Sequence, residues 1–191
     1  LQRLRLNGNN FSASLTASLS ANLNQLTLIR MLDLSNNNLT HFDFDRLSCL
    51  KQLTKLALND TRLQDCNVKS IYAALRNNQI ETFQFASNTL LTMETIALTT
   101  TYLLENKTCK SLNLSLCGLD KPPYVEKLLP SLYKNKTITA LKLVPVNRNY
   151  AHWRKLKACF KKNLGGGKKG KLTPPLSYSE LESHIKGMEK I

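Results

Sequence analysis

Six short segments of the chain share one spacing of apolar and polar positions. An apolar residue is followed by a second three positions on and a third two further, then by a small polar position and a last apolar one. The first segment reads Leu1, Leu4, Leu6, Asn9, Phe11, and the second Ile29, Leu32, Leu34, Asn37, Leu39. The third is Leu53, Leu56, Leu58, Thr61, Leu63, and the fourth Ile80, Phe83, Phe85, Asn88, Leu90. The fifth is Cys109, Leu112, Leu114, Cys117, Leu119, and the sixth decays to Ile138, Leu141, Leu143, Val146, Arg148. The copies start at 1, 29, 53, 80, 109 and 138, so successive starts lie 28, 24, 27, 29 and 29 residues apart. One such segment carries little weight in a leucine-rich chain. Six in register define a repeat.

Within each copy, the second and third apolar residues lie two apart, so they leave a short strand on the same side while the residue between them points the other way. A strand buried on one face needs neighbours, and stacking the copies gives it a shared core. The polar position falls where the chain turns off the strand. An asparagine amide both donates and accepts there, pairing turn backbone groups that would otherwise be buried and unsatisfied. Asn9, Asn37 and Asn88 suit that role. Thr61 and Cys117 are weaker substitutes and Val146 can make no such bond, so the ladder is expected to loosen at the sixth copy.

Between the strands most stretches have helical spacing. Ile96, Thr99, Tyr102 and Leu103 recur at three and four, as do Val125, Leu128, Leu129 and Leu132. Pro122 and Pro123 stand near the start of the latter helix, where proline is tolerated, and Pro130 lies inside it. The connection after the second copy is shorter and predicts only a turn or a brief helix.

The phrases "LLENKTCKSLNLSLCGL" and "SLYKNKTITALKL" resemble leucine-rich repeat proteins of the ribonuclease-inhibitor-like type, the type found in the sensing regions of NOD-like receptors. The resemblance covers residues 1–164 and implies an α/β leucine-rich repeat solenoid, a horseshoe with a concave parallel sheet and convex helices. It further implies protein binding across the strand-lined face without chemistry there. The 24-residue repeat and the sixth copy depart from the pattern. An Asn/Lys/Thr/Leu-heavy composition with such repeats is also similar to effectors that intracellular bacteria deliver into host cells, which would place the protein in the host cytosol.

The composition, 42% hydrophobic and 21% charged, fits a chain with a substantial core and a soluble, cytoplasmic life. The chain opens at Leu1 in mid-register without a polar cap, so it reads as an N-terminally truncated piece whose upstream part holds more repeats or another domain. An enzyme regulated by these repeats is one such domain. The five cysteines are scattered, with no Cys-x-x-Cys, and read as reduced thiols in a cytosolic protein. His41, His152 and His184 lie far apart, and Gly165–Thr173 misses a phosphate-binding loop because Leu172 stands where a hydroxyl is required. Nothing predicts a catalytic residue, metal or cofactor.

Charge changes the picture at one end. Residues 1–100 hold nine Lys and Arg against seven Asp and Glu, and residues 101–191 hold eighteen against six, so the net +14 divides as +2 and +12. A last-repeat helix is expected to show Arg154, Lys155, Lys157, Lys161 and Lys162 to water while Tyr150, Trp153, Leu156 and Phe160 face inward. A basic Gly/Pro linker, 165–175, adds Lys168, Lys169 and Lys171, and a helix over 176–191 opens on a capping box of Ser179 and Glu182. This end is a solvated cap or a patch for acidic partners such as anionic lipid or nucleic acid.

The strand positions expected to face outward are Arg3, Arg5, Met31, Asp33, Lys55, Ala57, Thr82, Gln84, Ser111, Asn113, Ala140 and Lys142. Strands about 4.8 Å apart, with residues about 3.3 Å apart, give a strip of roughly 300 Å². A standard interface takes about 800 Å² per partner, so adjoining strand-to-helix loops or further repeats have to contribute.

Overall fold

The computed structural model describes residues 1–119 and 121–143. The last-repeat helix, the linker over 165–175 and the helix over 176–191 lie outside the described residues, as do Val146 and Arg148. Each of the six segments supplies one three-residue strand: β1 (Arg3–Arg5), β2 (Met31–Asp33), β3 (Lys55–Ala57), β4 (Thr82–Gln84), β5 (Ser111–Asn113) and β6 (Ala140–Lys142). They form one parallel sheet in chain order.

The connections that return the chain to the start of the sheet hold α1 (Ala13–Ala21), α2 (Asp65–Ala74), α3 (Met93–Glu105) and α4 (Pro122–Lys134). The short connection after β2 holds only a 3₁₀ turn, Phe44–Cys49, as its length predicts. Pro122 and Pro123 occupy the first turn of α4, where a missing N–H costs no helical bond, and Pro130 lies inside that helix. Two buried hydroxyls let their helices sit close to the core because each returns its proton to a carbonyl one turn back. Thr16 donates to Ser12 O at 2.8 Å and Ser131 to Leu128 O at 2.8 Å.

Register aligns the middle residue of every strand: Leu4, Leu32, Leu56, Phe83, Leu112 and Leu141 are in-line partners. Two residues on, Leu34, Leu58, Phe85, Leu114 and Leu143 are buried in the same core, with Leu6 half-buried at the first strand. Val68, Ile71, Ile96, Leu103, Leu128 and Leu132 close it from the helices. At its centre Tyr72 of α2 stacks on Tyr102 of α3 with ring centroids 4.4 Å apart, and Phe83 meets both edge-on at 5.8 and 5.6 Å.

Phe83→Ala should therefore cost about 3–5 kcal/mol, because the neighbouring rings cannot collapse into the space. Leu4→Ala, on the half-buried first strand, should cost about 1–2 kcal/mol. Urea unfolding of the two variants measures the difference.

Candidate functional site

The side of the strands opposite the leucines carries the positions expected from the sequence to meet a partner. Register sets them in two rows. The first runs Arg3, Met31, Lys55, Thr82, Ser111, Ala140, and the second Arg5, Asp33, Ala57, Gln84, Asn113, Lys142. Arg3, Arg5 and Lys142 are exposed, and the others except Ala57 are half-buried. Ala57 corrects the expectation of an outward, accessible position, being only 1% exposed. Its methyl lies between the longer side chains of Asp33 and Gln84.

Two of the polar side chains are committed to the backbone. Asp33 Oδ1 accepts from the N–H of Ser35 at 3.0 Å, and Asn113 Oδ1 from that of Ser115 at 3.1 Å. At the edge where the chain enters the strands, Lys110 pairs with Glu81 at 2.6 Å, an exposed contact of small energetic weight.

The turns leaving the strands form the adjoining rim. Gly8, Asn36, Asp60, Ser87 and Leu116 occupy one equivalent position and all have φ between 51° and 72°. The backbone N–H groups of the first four continue the ladder past the strands, for example Asn36 to Asn59 O at 2.8 Å and Ser87 to Ser115 O at 2.9 Å.

Next to each lies the predicted polar rung. Asn37 donates to Leu6 O at 2.7 Å and Leu34 O at 3.0 Å and accepts from Asn9 N at 3.0 Å. Asn88 donates to Leu58 O and Phe85 O, both at 2.8 Å, and accepts from the N–H groups of Thr61 and Leu63. The Thr61 hydroxyl donates to Leu58 O at 2.9 Å and, more weakly, to Asn88 Oδ1 at 3.4 Å. The Cys117 thiol donates to Phe85 O at 3.1 Å, and burial pushes it up to about 11, so it stays protonated. Asn9, on the first rung, is exposed and makes one side-chain contact, to Asn7 O at 3.4 Å.

A second asparagine ladder escaped the sequence reading. Asn106 and Asn135 follow α3 and α4, and each Oδ1 accepts two N–H groups of the chain as it heads for the next strand. Asn135 also donates to Leu103 O at 2.6 Å, in the helix before. Asn78 holds the matching place after α2 and donates to Leu50 O at 2.9 Å, but its Oδ1 is buried without a partner. The available signal was the period, since 78, 106 and 135 lie 28 and 29 residues apart.

Asp65 bridges repeats in another way. Its carboxylate, at the start of α2, accepts from the backbone and hydroxyl of both Thr92 and Thr95 and so caps α3 from the repeat before. Burial raises its pKa, but those four bonds outweigh it and hold the group below its ordinary 3.8.

Among the described residues no three His, Cys, Asp or Glu side chains gather to hold a metal. His41 is exposed. None of the four described cysteines is in a disulfide, and Cys66 is exposed rather than packed inside. Burial pushes Cys109 up to about 12. A groove of 190 Å³ opens between α2 and α3 on the helix side, over the Tyr72–Tyr102 stack. The predicted patch of Arg154, Lys155, Lys157, Lys161, Lys162, Lys168, Lys169 and Lys171 lies outside the described residues. No described helix is long and apolar enough to cross a membrane.

No protein-family model and no curated protein sequence matches the chain. Among solved structures, the leiomodin-1 domain named Actin-Binding Site 2 is similar over 99% of this chain and 88% of its own, with a TM-score of 0.60 at 14% identity. The tropomodulin C-terminal domain of Caenorhabditis elegans is similar over 90% of this chain and 98% of its own, with a TM-score of 0.59 at 12% identity. At such identities the likeness is one of fold.

These neighbours correct the resemblance to ribonuclease-inhibitor-like, NOD-like-receptor-type repeats, and no bacterial effector is among them. The physical reason is that the leucine spacing encodes the stacking of strands, a requirement common to many lineages. The 24-residue repeat and the 3₁₀ turn in place of a helix are where the chain departs from that regular pattern.

Asn88→Ala should cost about 2–4 kcal/mol in chemical denaturation, since it strands two buried N–H groups and two carbonyls. Asn135→Ala should cost more than Asn78→Ala, whose amide is already half unsatisfied. A carboxylate held below its unfolded pKa stabilises the fold above that unfolded value and loses its contribution as pH falls through the folded one. Asp65→Asn should accordingly be less stable than the unaltered protein at neutral pH, with the gap closing once pH drops well below 3.8. Thermal melts across that range check this.

Proposed function

We propose that the chain is a non-catalytic protein-binding domain, a leucine-rich horseshoe whose concave strand face and adjoining turns meet a partner protein. The supporting observation is a division of labour. Leucines and asparagine rungs hold the strands from one side and the ends, so most of the opposite side chains remain available for contact, Asp33 and Asn113 each keeping one oxygen on a turn N–H. The contact set is Arg3, Arg5, Met31, Asp33, Lys55, Gln84, Ser111, Asn113 and Lys142, joined by the turns over residues 7–12 and 35–45. Those turns supply area that the strip of strands lacks.

Actin is the partner to examine first, because the similar leiomodin-1 domain is named as an actin-binding site. The protein should co-sediment with filamentous actin or co-elute with monomeric actin. Arg5→Glu combined with Lys55→Glu should remove the association at unchanged stability. Unchanged capture by that variant would rule out this face, and no association with either form would rule out actin.

A further inference from the structure

We infer that the β1–β3 end of the strand face takes an acidic protein segment, its Asp or Glu carboxylates meeting Arg3, Arg5 and Lys55 and an apolar residue covering Met31. This rests on the protein-binding reading above and gives the partner its chemistry. Register supplies the geometry. Arg3, Met31 and Lys55 are in-line partners, so the thioether lies between two cations about 9.6 Å apart. Arg5 stands on the same side of β1 as Arg3, about 6.6 Å along the strand.

Among the described residues none of these three cations makes an ion pair or a side-chain hydrogen bond. Other cations do find partners: Arg46 pairs with Asp43, Arg76 with Glu105 and Lys110 with Glu81. The nearest carboxylate on the face, Asp33, is half-buried and accepts from the Ser35 N–H. From Thr82 to Ala140 the described face is neutral, so the positive potential is concentrated at β1–β3. The backbone separations of the three cations, about 7 to 12 Å, are comparable to the Debye length of about 10 Å at 0.1 M salt, so their fields overlap at the surface.

The same positions favour a peptide over a nucleic acid. A polyphosphate would carry its charge past Asp33, beside Arg5, and would set sugar or phosphate on Met31. The described strand face has no aromatic side chain on which a base could stack. An acidic segment with one apolar side chain satisfies all four positions, and the arginines can grip its carboxylates through two parallel hydrogen bonds each.

Fluorescence anisotropy with three labelled probes tests this: a peptide with one Leu flanked by Glu pairs, the same peptide with Gln for Glu, and an oligothymidylate of matched charge. The Glu peptide should bind at low ionic strength and weaken as salt rises. The Gln peptide should bind at least about tenfold more weakly, and Arg3→Glu combined with Arg5→Glu should weaken the Glu peptide by about the same factor. Lys142→Glu, at the far end, should change binding by less than about twofold. Equal binding of the Gln peptide, tighter binding of the oligothymidylate, or no response to the double charge reversal would overturn the proposal. So would failure of all three probes to bind. If a captured partner is then lost with Gln84→Arg plus Asn113→Arg but not with the Arg3 and Arg5 reversals, the face still binds protein and only its assigned chemistry is wrong. If neither pair of changes matters, the protein-binding face itself is wrong.

Discussion

Strands three residues long leave the chain turning almost as often as it runs straight, and every turn brings backbone N–H and carbonyl groups into the interior. A buried unpaired group costs about 1–3 kcal/mol, so a stack of such turns is unstable unless something pairs them. Two ladders of side-chain amides do so. Asn37 and Asn88 pair the turns that leave the strands, and Asn106 and Asn135 pair the segments that lead back in. Each ladder bonds across repeats as well as within them. Asn37 reaches Leu6, Asn88 reaches Leu58 and Asn135 reaches Leu103. The repeats are therefore locked to neighbours by polar bonds as well as by leucine packing, the nearest-neighbour coupling expected of a stacked fold.

Apart from Asp33 and Asn113, which pair turn N–H groups, and the buried Ala57, that division leaves the open side of the strands little constrained by folding. Arginine, methionine, lysine, threonine, serine and alanine follow one another along a single row without disturbing register. Such variety would be intolerable in the leucine row behind it, where the strand residues of β2–β6 are at most 1% exposed. A rigid backbone presenting freely chosen side chains is the arrangement in which a patch of charge such as Arg3, Arg5 and Lys55 can persist without a structural role.

The apolar columns and the strand-exit ladder were legible in the sequence because both recur at fixed offsets inside each copy. Leu56, Phe83 and Leu112 sit in one line because the pattern says so. Val125, Leu128, Leu129 and Leu132 were equally readable from helical spacing. What was not legible depends on neighbours remote in the chain. Asp65 caps α3 from 27 to 30 residues away, and no local motif announces a cap at that distance. The buried state of Ala57 follows from the lengths of Asp33 and Gln84 on the adjoining strands. The helix-exit asparagines were hidden in plain view: "NKT" occurs after both α3 and α4, yet in an asparagine-rich chain the triplets pass for chance. The resemblance misled for the converse reason, since leucine spacing records what stacking demands and is common to repeats of different types.

The stack is not equally strong along its length. Its best-paired region lies between the Asn37 and Asn88 rungs, with the aromatic group of Tyr72, Phe83, Phe85 and Tyr102 beside it. At the fifth repeat two features weaken together. Cys117 offers only a thiol at the rung, and Leu116 is forced to φ +58° at a position that suits glycine or asparagine. A branched residue there costs about 1–2 kcal/mol of backbone strain. The strand-exit turn after β5 is thus held less firmly than those at Asn37 and Asn88. The cationic end of the face is held differently, for β2 is fixed by an amide that spans two repeats. Of the three cations, Lys55 on β3 therefore stands on the more firmly held backbone, and Arg3 and Arg5 on a terminal strand whose Leu4 and Leu6 are half-buried.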